Sequence, residues 1–194
     1  ISDVAIIDID KDKDLDLIIL SNVSDFRENN FEGKIEFYLN NGKGNFKLSS
    51  NYSNKENIEQ GKVLRFNDFD KDGDMDLFIL GKTHLSKYPL STNNQLLENK
   101  NGIFVDVSDL YLGEIKNIGI PKDAAWADIN NDKTDDLIII NEFSPIQILI
   151  NKNKSFKNLN NSGLENFSGW WESIKIIDND KDGDLDFFVG NLGS

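Results

Sequence analysis

One aspartate-rich segment of nine residues occurs four times in the chain, and this repeat constrains the fold more than any other feature. The copies occupy residues 8–16, 68–76, 128–136 and 178–186 and are called loops 1 to 4 in chain order. Their first residues lie 60, 60 and 50 positions apart. Self-similarity at such a spacing is typical of proteins built from one repeated supersecondary unit. The chain is therefore expected to consist of similar units that bury their apolar faces against one another.

Each loop lies between two short apolar segments. The preceding segments are residues 4–7, 63–66, 124–127 and 174–177, and the following ones are residues 17–20, 77–80, 137–140 and 187–189. Short runs rich in β-branched and aromatic residues predict strands. Third strands are predicted at residues 35–40, 95–99 and 146–151, and fourth strands around Phe46, Phe104 and Phe156. One unit is therefore predicted to be a sheet of four antiparallel strands.

These repeated units predict an all-β fold, and specifically the four-stranded antiparallel blades of a single β-propeller segment. A β-sandwich is the alternative, but a sandwich has no reason to repeat its sequence. The predicted blades are residues 3–50, 62–107 and 122–159, and residues 171–194 supply only the first hairpin of a fourth blade. Four blades would close only as an unusually small ring, so we expect the chain to be part of a longer propeller.

The acidic residues are concentrated in the loops, which hold 19 of the 34 Asp and Glu residues. Such crowding of carboxylates requires a counter-cation. Calcium takes about six to eight oxygen ligands, and the aspartate spacing offers side-chain oxygens at loop positions 1, 3, 5 and 9 and a backbone carbonyl at position 7. The sequence predicts one calcium site per loop, with these ligand residues: Asp8, Asp10, Asp12, Asp14, Asp16, Asp68, Asp70, Asp72, Asp74, Asp76, Asp128, Asn130, Asp132, Thr134, Asp136, Asp178, Asp180, Asp182, Asp184 and Asp186.

The first nine positions also match the EF-hand loop, in which position 12 is a bidentate glutamate and both flanks are helices. Position 12 is apolar in all four loops, where it is Ile19, Ile79, Ile139 or Val189. An apolar side chain cannot ligate a cation, and the flanking segments are predicted strands. The EF-hand and the similar dockerin loop therefore fit the sequence poorly.

The four loops differ in predicted affinity. Loops 2 and 4 keep glycine at position 6, where the backbone reverses direction, and aspartate at positions 1, 3, 5 and 9. Loop 1 has Lys13 at position 6. Loop 3 has Lys133 at that position, and its Asn130 at position 3 removes one negative charge. The expected order of calcium affinity is loops 2 and 4 first, then loop 1, then loop 3.

The composition excludes several classes of function. A formal net charge of −13 opposes binding to nucleic acid or to anionic lipid. The chain has no cysteine, which removes thiolate catalysis and zinc–sulfur sites. No apolar run approaches the ~18 residues that a membrane span needs, so membrane insertion is not expected.

No catalytic constellation is evident in the sequence. The single histidine, His84, lies in a polar stretch after a predicted strand, and nucleophile-elbow and phosphate-loop motifs are absent. The best enzyme alternative is a polysaccharide lyase that uses a Lys, Tyr or His base, because Lys87 and Tyr88 follow His84 closely. A binding module is the favoured class, and an enzyme is the alternative.

The loops and the segments around them resemble the FG-GAP/VCBS repeat family, whose calcium-loop propeller repeats also occur in the heads of integrin α-subunits. One segment is similar to bacterial VCBS-repeat proteins related to cartilage acidic protein. It consists of residues 168–174, loop 4 and residues 187–193. Residues 37–46 resemble the strand–turn–strand element that follows each loop in this family. The literal Phe-Gly and Gly-Ala-Pro signatures are absent, which favours the bacterial branch over an integrin-like protein.

The resemblance covers essentially the whole chain and implies a seven- or eight-bladed propeller with calcium in each loop. It also implies a secreted or cell-surface location and a role in adhesion or in binding a glycan or protein ligand. A scaffold domain of a larger assembly is a further alternative. Aromatic faces commonly stack on sugars or anchor protein partners, but we expect Trp126 and at least one of Trp170 and Trp171 to be packed in the core.

Overall fold

The computed structural model describes residues 1–25, 30–54, 58–84 and 87–193, and these ranges are built mainly of strands. Their helical parts are α1 (Ser108–Tyr111) and a 3-10 helix (Gly113–Lys116), and no helix in these ranges is long and apolar enough to cross a membrane. The strands are β1 (Asp3–Ile7), β2 (Asp16–Asp25), β3 (Asn30–Asn40), β4 (Phe46–Leu48), β5 (Ser53–Asn54), β6 (Ile58–Glu59), β7 (Gly61–Asn67), β8 (Asp76–Gly81), β9 (Gln95–Lys100), β10 (Ile103–Asp106), β11 (Ile120–Ala127), β12 (Asp136–Pro145), β13 (Gln147–Lys152), β14 (Ser155–Asn158), β15 (Ser168–Ile177) and β16 (Asp186–Asn191).

The sheets contain three blades, each made of four consecutive antiparallel strands. β1 to β4 form the first blade, β7 to β10 the second, and β11 to β14 the third. β15 and β16 form a further antiparallel hairpin. The all-β organisation into propeller-like blades, predicted from the repeat, is confirmed.

The segments between the blades carry short strands that the sequence did not predict. β5 pairs in parallel with β10 of the second blade, and β6 pairs with β3 of the first blade. β12 continues to Pro145 and pairs with the start of β15. These pairings join neighbouring blades through backbone hydrogen bonds, so the polar linkers contribute to the sheets.

The apolar core lies between the blades. Strand β8 shows this arrangement, because Leu77 and Ile79 pack toward the first blade, whereas Phe78 and Leu80 pack toward the third. Successive side chains of a strand point to opposite faces of its sheet. A strand between two blades is therefore buried on both faces, and all six residues of β8 are buried.

Aromatic rings fill the interfaces between blades. Phe37 of the first blade stacks on Phe104 of the second, with ring centroids 5.2 Å apart. Phe78 of the second blade meets Trp126 of the third edge to face at 6.2 Å. Trp171 packs between the third blade and the β15–β16 hairpin, while Trp170 is 40% exposed. The expectation that Trp126 and one of the other two tryptophans are packed is confirmed.

Hydrogen bonds join the first strands of successive blades. Asp3 accepts one from a backbone N–H of β7 (2.8 Å), and Asp123 accepts one from the N–H of Ile174 (3.1 Å). Arg65 of β7 forms the link between the second and third blades, because its guanidinium pairs with Asp123 and its Nε donates to the carbonyl of Ala124 (2.8 Å). The first strands therefore lie side by side, which brings the loops at their ends together.

Candidate metal centre in the aspartate loops

The four aspartate loops lie at one edge of the blades. Each joins a first strand to the second strand of the same blade or hairpin. Neighbouring loops touch directly: Lys11 of loop 1 pairs with Asp74 of loop 2 (2.6 Å), and Lys71 of loop 2 donates to Thr134 Oγ1 of loop 3 (3.1 Å). The lysine at position 4 of one loop thus reaches position 7 of the next loop.

Side-chain carboxylates organise the backbone of each loop. In loop 2, the N–H of Gly73 donates to Asp68 (3.0 Å), the N–H of Asp72 to Asp70 (3.1 Å) and the N–H of Asp74 to Asp72 (2.8 Å). Equivalent bonds link position 6 to 1, 5 to 3 and 7 to 5 in the other three loops. The side chains at positions 1, 3 and 5 therefore turn toward the inside of each loop.

The reversal at position 6 requires a left-handed backbone. Gly73 and Gly183 have φ values of 92° and 98°, which glycine adopts without strain. Lys13 and Lys133 occupy the same position with φ values of 77° and 68°, a region that is unfavourable for residues with a Cβ atom. Position 6 is the point where loops 1 and 3 carry strain that loops 2 and 4 avoid.

In loops 1 to 3, the aspartate at position 9 is buried and accepts two backbone hydrogen bonds. In loop 2, Asp76 accepts one from the N–H of Phe69 (3.2 Å) at position 2 and one from the N–H of Asn99 (2.8 Å) at the end of the third strand. Loops 1 and 3 repeat both bonds through Asp16 and Asp136. The residue predicted only as a metal ligand therefore also joins the loop to the third strand.

Sequence reasoning missed the asparagines that end the third strands. Asn99 is buried, and its side chain donates to the carbonyl of Met75 (3.2 Å) and accepts the N–H of Gly102 (2.8 Å). Asn40 and Asn151 occupy the same place in the first and third blades. The signal was present in the sequence, because each predicted third strand ends in asparagine.

Carboxylates from positions 1, 3 and 9 converge in three loops. Within each of these loops, one oxygen from each of the three residues lies within 4.8 Å of the other two. The sets are Asp8, Asp10 and Asp16 in loop 1, Asp68, Asp70 and Asp76 in loop 2, and Asp178, Asp180 and Asp186 in loop 4. The Oδ1 atoms of Asp8 and Asp68 are buried without a hydrogen-bond partner. A set of oxygen donors with an unpartnered buried oxygen fits a calcium ion.

Loop 3 differs from the other loops. Asn130 replaces the carboxylate at position 3, which removes one negative charge. Both oxygens of Asp128 accept backbone N–H groups, from Asp132 (3.1 Å) and Lys133 (2.7 Å), but Asp178 of loop 4 also accepts two. The lowest place of loop 3 in the order of affinity therefore depends on the charge lost at Asn130 and stays a prediction.

Positions 5 and 7 lie outside the three-carboxylate sets, and their role as ligands stays a prediction. The position-5 side chains each accept the N–H of position 7 in their own loop, and these residues are Asp12, Asp72, Asp132 and Asp182. The backbone carbonyls predicted at position 7 belong to Asp14, Asp74, Thr134 and Asp184.

Burial raises the pKa of several loop aspartates. Burial raises the pKa of Asp76 from 3.8 to about 8, and the charges of Asp70 and Asp72 raise it further, against the two N–H bonds that lower it. Burial also raises the pKa of Asp136 and of Asp10. A bound divalent cation reverses this effect, because it stabilises the ionised carboxylates.

Two of the residues considered for a lyase, His84 and Tyr88, make hydrogen bonds to other parts of the described chain. His84 donates its backbone N–H to the carbonyl of Leu90 (2.9 Å). Tyr88 is 60% exposed, and its hydroxyl donates to Glu142 (3.2 Å). Desolvation and this hydrogen bond raise the pKa of Tyr88, so less of its hydroxyl is in the deprotonated form that could act as a base.

The blades and their acidic loops define an all-β repeat protein with candidate metal centres in three of its four loops. The model of the FG-GAP-like repeat family matches the chain three times, at residues 8–79, 68–139 and 128–189, and the chain belongs to this family. Each match begins at one aspartate loop and ends within the strand that directly follows the next loop. A search of curated proteins found no match. The resemblance inferred from the sequence is thereby confirmed.

Proposed function

We propose that the chain is a calcium-binding β-propeller module of an extracellular or cell-surface protein, and that it binds a glycan or protein ligand and is not an enzyme. Membership in the FG-GAP-like repeat family supports a module of the integrin-like kind. The observation that supports calcium binding is the set of Asp68, Asp70 and Asp76, in which a buried oxygen of Asp68 has no hydrogen-bond partner. Such an oxygen is unfavourable in the protein alone, and calcium supplies its missing partner.

The calcium ion would have a structural role at the edge of each blade. In loop 2 it would bind Asp68 and Asp70 from the start of the loop and Asp76 from the start of β8. Asp76 also accepts the N–H of Asn99 at the end of β9. One ion would therefore hold together the ends of three strands, and the same arrangement would recur along the edge of the propeller.

A surface at the opposite end of the blades supports ligand binding. It consists of Tyr88, Glu142, Phe143 and Trp170 and is called the aromatic–ionic face. The Phe143 and Trp170 rings lie 5.2 Å apart, and both are exposed. Phe143 has a φ of 56°, an unfavourable conformation for a bulky residue that recurs at functional sites. Exposed aromatic rings suit the apolar faces of a sugar, whereas the Glu142 side chain is only 8% exposed and already pairs with Lys122 and Tyr88.

Calcium titration tests the metal assignment. Isothermal titration should give saturable binding with dissociation constants on the order of 10⁻⁴ to 10⁻³ M, as in other extracellular modules. Asp68→Asn should remove one site, whereas Asp109→Asn removes the same charge from an exposed residue of α1 and should leave all sites intact. Absence of saturable binding, or an equal loss in both variants, would contradict calcium binding by the loops.

A glycan array and affinity capture with the intact protein test the ligand. We expect a ligand whose binding decreases in Trp170→Ala and survives in Leu110→Ala, a change at an exposed apolar residue of α1. Incubation with polyanionic polysaccharides separates the module from a lyase, because a lyase releases unsaturated uronic products that absorb ultraviolet light. Release of such products would contradict the non-enzymatic assignment. If the domain only joins other domains, neither the glycan array nor the affinity capture would show a ligand.

We also propose that these blades are part of a ring of seven or eight. The middle blades bury both faces, whereas the outer faces of the first blade and of the last hairpin expose apolar side chains such as Ile6 (66%) and Phe188 (54%). Neighbouring blades would cover both faces. A structure of the intact protein in which these side chains stay in solvent would exclude this arrangement.

A further inference from the structure

A lysine from the third blade contacts a predicted ligand of loop 2. Lys154 lies in the turn between β13 and β14, and its Nζ is 2.6 Å from Oδ2 of Asp70. The Asp70 side chain is only 1% exposed. The same ammonium lies 3.2 Å from Glu98 Oε1 of β9, a side chain that is 9% exposed. The ammonium of Lys154, whose side chain is 36% exposed, therefore lies between two nearly buried carboxylates of the second blade.

This arrangement is specific to one blade interface. The N–H of Lys154 donates to the side chain of Asn151 (3.1 Å), just as the N–H of Gly102 donates to Asn99 (2.8 Å) and that of Gly44 to Asn40 (3.2 Å). Lys154 thus stands where the other two blades have glycine.

Lys154 also has a left-handed backbone, with a φ of 67°, although glycine is the residue that suits this conformation. Glu98 is the residue immediately before Asn99, and the corresponding residues before Asn40 and Asn151 are apolar, namely Leu39 and Ile150. The lysine and its second carboxylate are thus both absent from the equivalent places in the other two blades.

We propose that Lys154 is a tethered cation that competes with calcium at loop 2, so that its removal strengthens calcium binding at loop 2 and leaves loop 4 unchanged. This inference rests on the proposed calcium binding by the loops. Both loops have five aspartates and a glycine at position 6, and the sequence alone ranks them as equals. Only loop 2 has an ammonium group from the third blade on its position-3 carboxylate.

The size of the effect follows from distance. A calcium ion lies about 2.3–2.6 Å from a ligating oxygen, so an ion on Asp70 would be about 5 Å from the Lys154 ammonium. Repulsion between a divalent and a monovalent cation at that distance weakens binding by about tenfold even in a dielectric like that of water. The ammonium has room to move away, because it borders a cleft of about 300 Å³ that Lys71 and Thr134 also line.

Calcium titration followed by ¹⁵N–¹H NMR measures the two loops separately in the intact chain. The amides of Gly73 and Gly183 donate to the position-1 carboxylates of loops 2 and 4 (3.0 and 3.3 Å), so each amide reports on its own site. Lys154→Gly, which introduces the residue that the other blades have there, should lower the Gly73 midpoint by about tenfold and leave Gly183 unchanged.

Two further variants distinguish competition from a general structural effect. Glu98→Gln removes one of the two carboxylates near Lys154, so the ammonium should pair more strongly with Asp70. This variant should therefore raise the Gly73 midpoint. Lys152→Met removes an exposed positive charge two residues from Lys154 and should change neither midpoint.

Other outcomes would overturn the proposal. A Gly73 midpoint that is unchanged or higher in Lys154→Gly would show that Lys154 does not compete with calcium. An equal shift of both glycines would show a general effect. If neither glycine responds to millimolar calcium in the wild type or in Lys154→Gly, the proposed calcium function fails along with this inference.

Discussion

The side-chain amide of Asn151, in the third blade, donates a hydrogen bond over 2.9 Å to the backbone carbonyl of Phe69, in loop 2 of the second blade. Asn151 is 1% exposed, and its side-chain oxygen accepts the N–H of Lys154 within its own blade. Asn151→Ala would leave both groups without their partner. We expect the free energy of unfolding to fall by about 2–3 kcal/mol, measured by urea denaturation.

Asn40→Ala provides the matched control for this variant. Asn40 ends the third strand of the first blade and makes the same kind of bonds within its blade, to Leu15 and Gly44, but its side chain is more exposed. We expect a loss of about 1 kcal/mol. Equal losses in the two variants would show that the bond between Asn151 and Phe69 adds nothing to stability.

Removal of calcium should lower the melting temperature substantially. A site at a calcium concentration tenfold above its dissociation constant contributes about 1.4 kcal/mol, and three such sites approach the lower end of the total stability of a typical domain, about 5–15 kcal/mol. Asp68→Asn should abolish part of the difference between scans with calcium and with chelator, whereas Asp128→Asn in loop 3 should change it less. A melting temperature that does not respond to chelation in the wild type would contradict the metal assignment.

The strands and the acidic loops could be predicted from sequence because their determinants are local. A short apolar run predicts a strand without any knowledge of its neighbours, and nine consecutive residues define a loop. The repeat supplied the remaining step, because units that recur must pack on one another. The burial of β8 on both faces also follows from this packing, because Leu77 and Phe78 each need an apolar neighbour on their own side of the sheet.

The contacts between blades could not be predicted in the same way. Lys154 and Asp70 are 84 positions apart, and no pattern in one sequence shows that a turn lysine reaches the loop of the preceding blade. Asp76 has two functions, because it is placed to bind a metal and also accepts the N–H of Asn99. Its spacing in the motif indicates only the first of these. Predicting such contacts requires the angle between blades, which the local sequence does not determine.

Asp123 joins three first strands, so its loss should be costly. It is 8% exposed, pairs with Arg65 and accepts the N–H of Ile174 (3.1 Å). Asp123→Ala leaves the Arg65 guanidinium without this partner and the buried N–H unsatisfied, and we expect a loss of about 3–5 kcal/mol in urea denaturation. Asp109→Ala, which removes an exposed carboxylate from α1, should leave the denaturation curve unchanged. A small effect of Asp123→Ala would mean that the first strands are held together by packing alone.

Trp170 and Trp171 are adjacent in sequence, but we expect substitution of Trp171 to lower stability and substitution of Trp170 to reduce ligand binding. The indole N–H of Trp171 donates to the carbonyl of Ser144 (2.9 Å), and its ring packs between the third blade and the β15–β16 hairpin. Trp171→Ala should therefore lower the free energy of unfolding by about 3–5 kcal/mol.

Trp170 instead lies on the aromatic–ionic face, where its ring is 5.2 Å from that of Phe143 and remains 40% exposed. Trp170→Ala should change the free energy of unfolding by less than about 1 kcal/mol and should decrease the binding of whichever ligand the glycan array or affinity capture identifies. The two measurements together separate a packing residue from a binding residue. If Trp170→Ala unfolds the protein as strongly as Trp171→Ala, or leaves ligand affinity unchanged in a folded protein, Trp170 is not part of a ligand-binding surface.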